Sequence, residues 1–148
     1  MKILSFLTLS CFLLFNCTSP KKKASSGVIE ITDGWVRPTK AGKMSAAYFK
    51  LKNETATTDT LLRISSDVTS TTQIHESFET DDGLMGMREQ KFVALPKGET
   101  IAFKQGGLHV MIIQPDLDLV EGDSVTLTLQ FSSSKDLEIS LPIKASGN

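Results

Sequence analysis

An all-β fold, an antiparallel sandwich or barrel, is what this 148-residue chain predicts, on three observations. From Val28 onward there is no helical periodicity. Short alternating or β-branched runs take its place, and turn residues interrupt them at roughly eight- to twelve-residue intervals. The first runs are Val28 to Ile31 and Trp35 to Arg37, parted by Asp33-Gly34. Ala46 to Leu51 stops at Asn53-Glu54, and Thr60 to Ile64 follows. Thr71 to His75 leads into a loop, Glu76 to Leu84, whose Asp82-Gly83 step suits a tight reversal, and Leu84 to Glu89 returns from it. Phe92 to Leu95 closes on Pro96-Lys97-Gly98, Thr100 to Phe103 on Gly106-Gly107, and His109 to Ile113 begins beyond. Ser124 to Phe131 lies between Glu121-Gly122-Asp123 and Ser132-Ser133-Ser134, and Leu137 to Ile143 comes last. Each run holds residues that fit a pleated surface, and each break holds residues that tolerate turns. Alternation is cleanest where Val125, Leu127, Leu129 and Phe131 interleave with Thr126, Thr128 and Gln130, so one face is buried and the other wet. Trp35, Tyr48 and Phe49 are expected as core anchors.

The length fits one domain with a real core. Sixteen Lys and Arg against seventeen Asp and Glu leave a net charge of −1, which gives no basic surface for a nucleic-acid backbone. Both cysteines, Cys11 and Cys17, fall at the start of the chain. There Met1-Lys2 precedes an apolar run from Ile3 to Phe15, too short to span a bilayer, which reads as an export signal. Leu14-Phe15-Asn16-Cys17 resembles the cleavage and lipidation signal of bacterial lipoproteins. The expected organisation is a signal segment over 1–16, a lipidated polar tether over 17–27 starting at Cys17, and a domain over 28–148. Lys21, Lys22 and Lys23 among Ser, Pro and Ala make the tether a solvated one, attracted to anionic lipid. The folded part then has no thiol.

Only two histidines occur, His75 and His109. In His109-Val110-Met111 an imidazole and a thioether two residues apart share one face of a strand, and Met85-Gly86-Met87 repeats the spacing with two thioethers. Strand pairing is expected to gather His75, Met87, His109 and Met111 at one edge of the sandwich. A methionine on a strand is more often core filler than a ligand, and a lone histidine more often a hydrogen-bonding residue. If the set does hold a metal, soft thioether with imidazole favours Cu(I) over ions that want oxygen. Structural zinc and a blue-copper centre both lack their cysteine here. Asp81, Asp82 and Glu79 read as a polar turn. No nucleophile elbow, phosphate loop or HExxH pattern is present, so the chain reads as a carrier or binding module and not as an enzyme.

These residues resemble the periplasmic copper(I) chaperone family called PCuAC, whose signature is His, ten residues, Met, twenty-one residues, His-x-Met. Twenty-one residues lie between Met87 and His109, and Met111 completes the motif; His75 and Met87 are separated by eleven residues, one more than the pattern. Trp35-Val36-Arg37, Ala46-Ala47-Tyr48-Phe49, Asn53, Asp82-Gly83-Leu84-Met85, Gly106-Gly107 and Glu121-Gly122-Asp123 also match, while Gln105 stands where the family usually has Pro. The resemblance implies a cupredoxin-like Greek-key β-sandwich, a monomer, that binds one Cu(I) through His75, Met87, His109 and Met111. The longer spacing leaves Met85 as an alternative to Met87. It further implies delivery to the Cu(A) centre of cytochrome c oxidase beside a Sco-type thiol protein, on the periplasmic side of a bacterial membrane. The competing reading is a structural or adhesive β-sandwich lipoprotein whose histidines and methionines are incidental.

Overall fold

The computed structural model describes residues 27–147. The expected signal segment, Cys17 and nearly all of the tether lie outside the described residues. Among the described residues ten strands form: β1 (Ile29–Val36), β2 (Met44–Asn53), β3 (Asp59–Ser66), β4 (Thr71–Glu79), β5 (Met85–Glu89), β6 (Val93–Leu95), β7 (Thr100–Phe103), β8 (Leu108–Ile113), β9 (Ser124–Phe131) and β10 (Leu137–Pro142). A six-stranded sheet runs β1-β2-β7-β8-β4-β5 and a four-stranded sheet runs β10-β9-β3-β6. The chain changes sheet between β2 and β3, β3 and β4, β5 and β6, β6 and β7, and β8 and β9, so hairpin neighbours and long crossovers alternate.

The core fills the space between the sheets. Val36, Phe49, Leu51, Val110 and Ile112 from one meet Leu61, Leu127, Leu129 and Leu141 from the other. Phe49 stacks on Phe103 with ring centroids 4.5 Å apart. Burying such a side chain contributes roughly 1.5–3 kcal/mol, and the period-two pattern fixes the register because a one-residue slip would turn the set outward. Strand β9 shows this directly, with Val125, Leu127, Leu129 and Phe131 all buried.

Two expected boundaries are corrected. Asp33-Gly34 does not separate two strands; it is a bulge inside β1, where the pairing with β2 shifts between Thr32 and Trp35 and Asp33 takes φ 56°. Aspartate tolerates that left-handed conformation better than most residues, and the bulge keeps both halves of β1 on one partner. Residues 76–79 are not loop either: β4 continues to Glu79, paired with β5 to the end. The β4–β5 ribbon gains enough from its own pairing to extend past the neighbouring strand, and the turn is confined to Thr80–Leu84, closed by the Thr80 amide donating to the Leu84 carbonyl at 2.8 Å.

Strands β7 and β8 both pair antiparallel with β2, end to end along it. Between Phe103, opposite Phe49, and Val110, opposite Ala47, the chain lifts away from β2 through Lys104–Gly107. This excursion leaves room on the outer face for Tyr48.

Candidate metal centre

All four candidate donors lie on the outer face of the six-stranded sheet. Strand β4 is the middle of the arrangement, with β8 on one side and β5 on the other. His75 is directly opposite His109 on β8 and Glu89 on β5; Gln73 is opposite Met111, and Ser77 opposite Met87. Residues opposite one another share a face, and so do residues two apart, which puts Gln73, His75, Ser77, His109, Met111, Met87 and Glu89 together. The two imidazoles meet edge to face with centroids 6.0 Å apart. Met87 sits one two-residue step along the ribbon from the histidine row; Met85, opposite Glu79, sits two.

Each ring is held by one nitrogen. The Nδ1–H of His109 donates to the Gly107 carbonyl at 2.9 Å, leaving Nε2 with the lone pair. The Nε2–H of His75 donates to Oε1 of Gln73 at 3.0 Å, which leaves Nδ1 as an acceptor. That Nδ1 is buried and has no hydrogen-bond partner among the described residues. A buried polar atom without a partner is costly, so its lone pair is the feature of this face that most needs a ligand. Burial pushes the His75 pKa down and the neighbouring His109 adds to this, while Glu89 pushes it back up; the net shift is downward, toward the neutral, ligating form.

Exposure divides the donors. His109 is 5% exposed and Met111 9%, whereas Met87 is 64% exposed. The expected open edge is therefore closed on the β8 side, where Tyr48 packs beside His109 with centroids 6.4 Å apart and Trp35 packs on Tyr48 at 4.7 Å. Trp35 and Tyr48, expected in the sandwich core with Phe49, instead form a separate buried cluster with Ala46 on the outer face. The bulge in β1 and the Lys104–Gly107 excursion put them there. Met44 is 57% exposed at the start of β2, opposite Ile113, and Asp81 and Asp82 lie in the β4–β5 turn as expected.

Among the described residues no three His, Cys, Asp or Glu side chains come together around a common point. The soft donors that lie beside the two imidazoles on this face are the thioethers of Met111 and Met87. Sequence reasoning missed three supporting groups: Gln73, the Gly107 carbonyl and the Trp35–Tyr48 wall. Gln73 was legible, since it stands two residues before His75 on the same strand. The carbonyl was not, because it depends on how the excursion folds.

Comparison with known proteins bears on the family and the fold. The family model described as "Putative lipoprotein LpqE-like" matches residues 29–143. The protein named "Putative lipoprotein Lxx21020" of Leifsonia xyli subsp. xyli is 29% identical over 127 residues, spanning 85% of this chain and 74% of its own length. The Rickettsia prowazekii protein RP573 is 31% identical over 115 residues, covering 74% of this chain; the chain spans 63% of that relative. Among solved structures, the copper-bound PCuAC domain from PmoF2 superposes with a TM-score of 0.66 at 20% identity, covering 80% of this chain and 93% of that one. The solution structure of CuI-DR1885 from Deinococcus radiodurans gives 0.63 at 20% identity, covering 84% and 85%. At such identities the likeness establishes the fold, and the expected cupredoxin-like sandwich is borne out.

Proposed function

Since the chain belongs to the LpqE-like family and has the PCuAC fold, we propose that it is an exported, lipid-anchored carrier of one Cu(I) ion. The observation that carries the reading is His75 and His109 directly opposite each other with their rings edge to face, the buried Nδ1 of His75 unpartnered among the described residues, and Met111 and Met87 on the same side of the sheet. The similar PCuAC domain from PmoF2 is copper-bound and the similar Deinococcus radiodurans structure is the CuI form, which supports the choice of metal.

The donor chemistry agrees. Two neutral imidazoles and two neutral thioethers leave the bound ion a single positive charge, with Glu89 alongside to offset it. Glu89, Gln73 and Ser77 supply no thiolate, so the ion is held by ligands that a thiolate outcompetes. His109 and Met111 form the fixed half of the site. Met87, exposed on the outermost strand, is the donor an incoming acceptor displaces first. The lipid on Cys17 would keep the carrier at the periplasmic face of a bacterial membrane, and delivery towards the Cu(A) centre of cytochrome c oxidase, with a Sco-type thiol protein, is the role this fits.

The test is anaerobic competition of the purified protein against a Cu(I) chelator. One Cu(I) retained per chain is expected, and retention is lost in the His75→Ala/His109→Ala double variant. A protein that yields all its copper to the chelator is instead the metal-free adhesive sandwich.

A further inference from the structure

The same residue that offers the exposed thioether also lies on a backbone edge that no other strand among the described residues pairs with. Strand β5 is the last strand of the six-stranded sheet, with β4 on its inner side. The phase of their pairing follows from its two ends: the Thr80 amide donates to the Leu84 carbonyl and the Gln90 amide to the Ile74 carbonyl, at 2.8 and 2.7 Å. The register between them is unbroken, with Glu76 opposite Arg88 and Phe78 opposite Gly86. In an antiparallel pair, bonded and non-bonded positions alternate, so Gly86 and Arg88 turn their N–H and C=O inward to β4. Met85, Met87 and Glu89 turn theirs outward, and these are the residues whose side chains lie on the donor face.

We infer that β5 is a docking edge for a copper acceptor that adds an extended, basic-flanked strand bearing a cysteine, placed opposite Met87. The inference rests on the Cu(I) reading above. A strand bonded to Met87 sets its opposite residue about 5.5 Å away, Cα to Cα, on the same face. A thiol there releases its proton to water, a Cu–S bond to the cysteine forms and the Cu–S bond to Met87 breaks, with copper monovalent throughout. Charge selects the occupant. The hairpin carries Glu76, Glu79, Asp81, Asp82 and Glu89 against Arg88 and Lys91, and Arg88 is already paired with Glu76 at 2.7 Å. Two copies of so acidic a ribbon repel, whereas a strand with lysines at its ends is drawn in. Leu84 and Met85, both about two-thirds exposed, give that strand apolar surface to cover. The other strands that end a sheet, β1, β6 and β10, contain no methionine, histidine or cysteine.

The experiment is amide hydrogen exchange by NMR on the copper-loaded protein, titrated with the peptide Lys-Thr-Val-Thr-Cys-Thr-Val-Thr-Lys and with its Ser-for-Cys counterpart. Both peptides are expected to slow exchange at Met85, Met87 and Glu89 at least tenfold while Gly86 and Arg88 stay as they were, and only the cysteine peptide removes copper. Copper leaving to the cysteine peptide with no protection of those three amides overturns the docking edge and leaves the Cu(I) site standing. Protection that grows with protein concentration before peptide is added gives the edge to a second copy and likewise overturns the proposal. Failure to load copper, seen before any peptide is present, removes the reading beneath it.

Discussion

His75 and His109 stand directly opposite each other on adjacent strands, rings 6.0 Å apart, although thirty-three residues separate them along the chain. The pairing of β4 with β8 converts two remote imidazoles into one chelating unit, and the methionines are placed by their offset from it.

Removing half of that unit tests it. His109→Ala is expected to weaken Cu(I) binding more than tenfold in chelator competition. The fold survives, because His109 packs against Tyr48 on the outer face and contributes nothing between the sheets. Circular dichroism and the urea midpoint check the second half of the prediction; unchanged affinity would take His109 out of the site.

Register separates the two exposed methionines. Met87→Ala is expected to cost at least tenfold in Cu(I) affinity and Met85→Ala less than twofold, since Met85 lies a further two-residue step from the histidines. Equal losses would mean that either sulfur can serve.

Acid should compete for the metal. Imidazole protonates near pH 6.5 while thioether does not titrate, so affinity is expected to hold from pH 8 to about 6.5 and to fall below it. Affinity that stays flat to pH 5 would indicate an all-methionine site.

The metal-free protein carries its own pH signature. The folded pKa of His75 lies below the unfolded value, so on acidification the unfolded chain takes up the proton first. This contribution to stability is complete above about pH 6.5 and is lost as pH falls through the lowered folded value. Urea midpoints at pH 7.5 and 5.5 should drop more for the wild type than for His75→Gln.

Asp59 is a separate structural anchor. Its buried carboxylate accepts bonds from the Thr60, Ser133 and Ser134 amides and the Ser132 hydroxyl, tying β3 to the turn after β9. Burial pushes its pKa up, but the bonds from Ser134, Ser132 and Thr60 together outweigh this and hold it well below the ordinary carboxylate range. Asp59→Asn is expected to cost about 1–3 kcal/mol in urea unfolding at pH 7. The difference from wild type shrinks in acid, because the stabilisation present above pH 4 is lost as the native carboxyl protonates.

The sequence alone determined the all-β class, nearly every strand and the identity of the soft donors. Alternation such as Val125 to Phe131 is a local signal, read directly from which side chains avoid water. It also put Met111 with His109, and Met85 with Met87, since residues two apart on a strand share a face whatever else happens. The tertiary structure alone decided that β8, β4 and β5 are neighbours, that Met87 is the nearer sulfur, and that a bulge and an excursion seat Trp35 and Tyr48 beside His109. Those outcomes depend on pairing between distant segments, whose partners and offsets are set by the packing of the whole sandwich and leave no trace in any one stretch of chain.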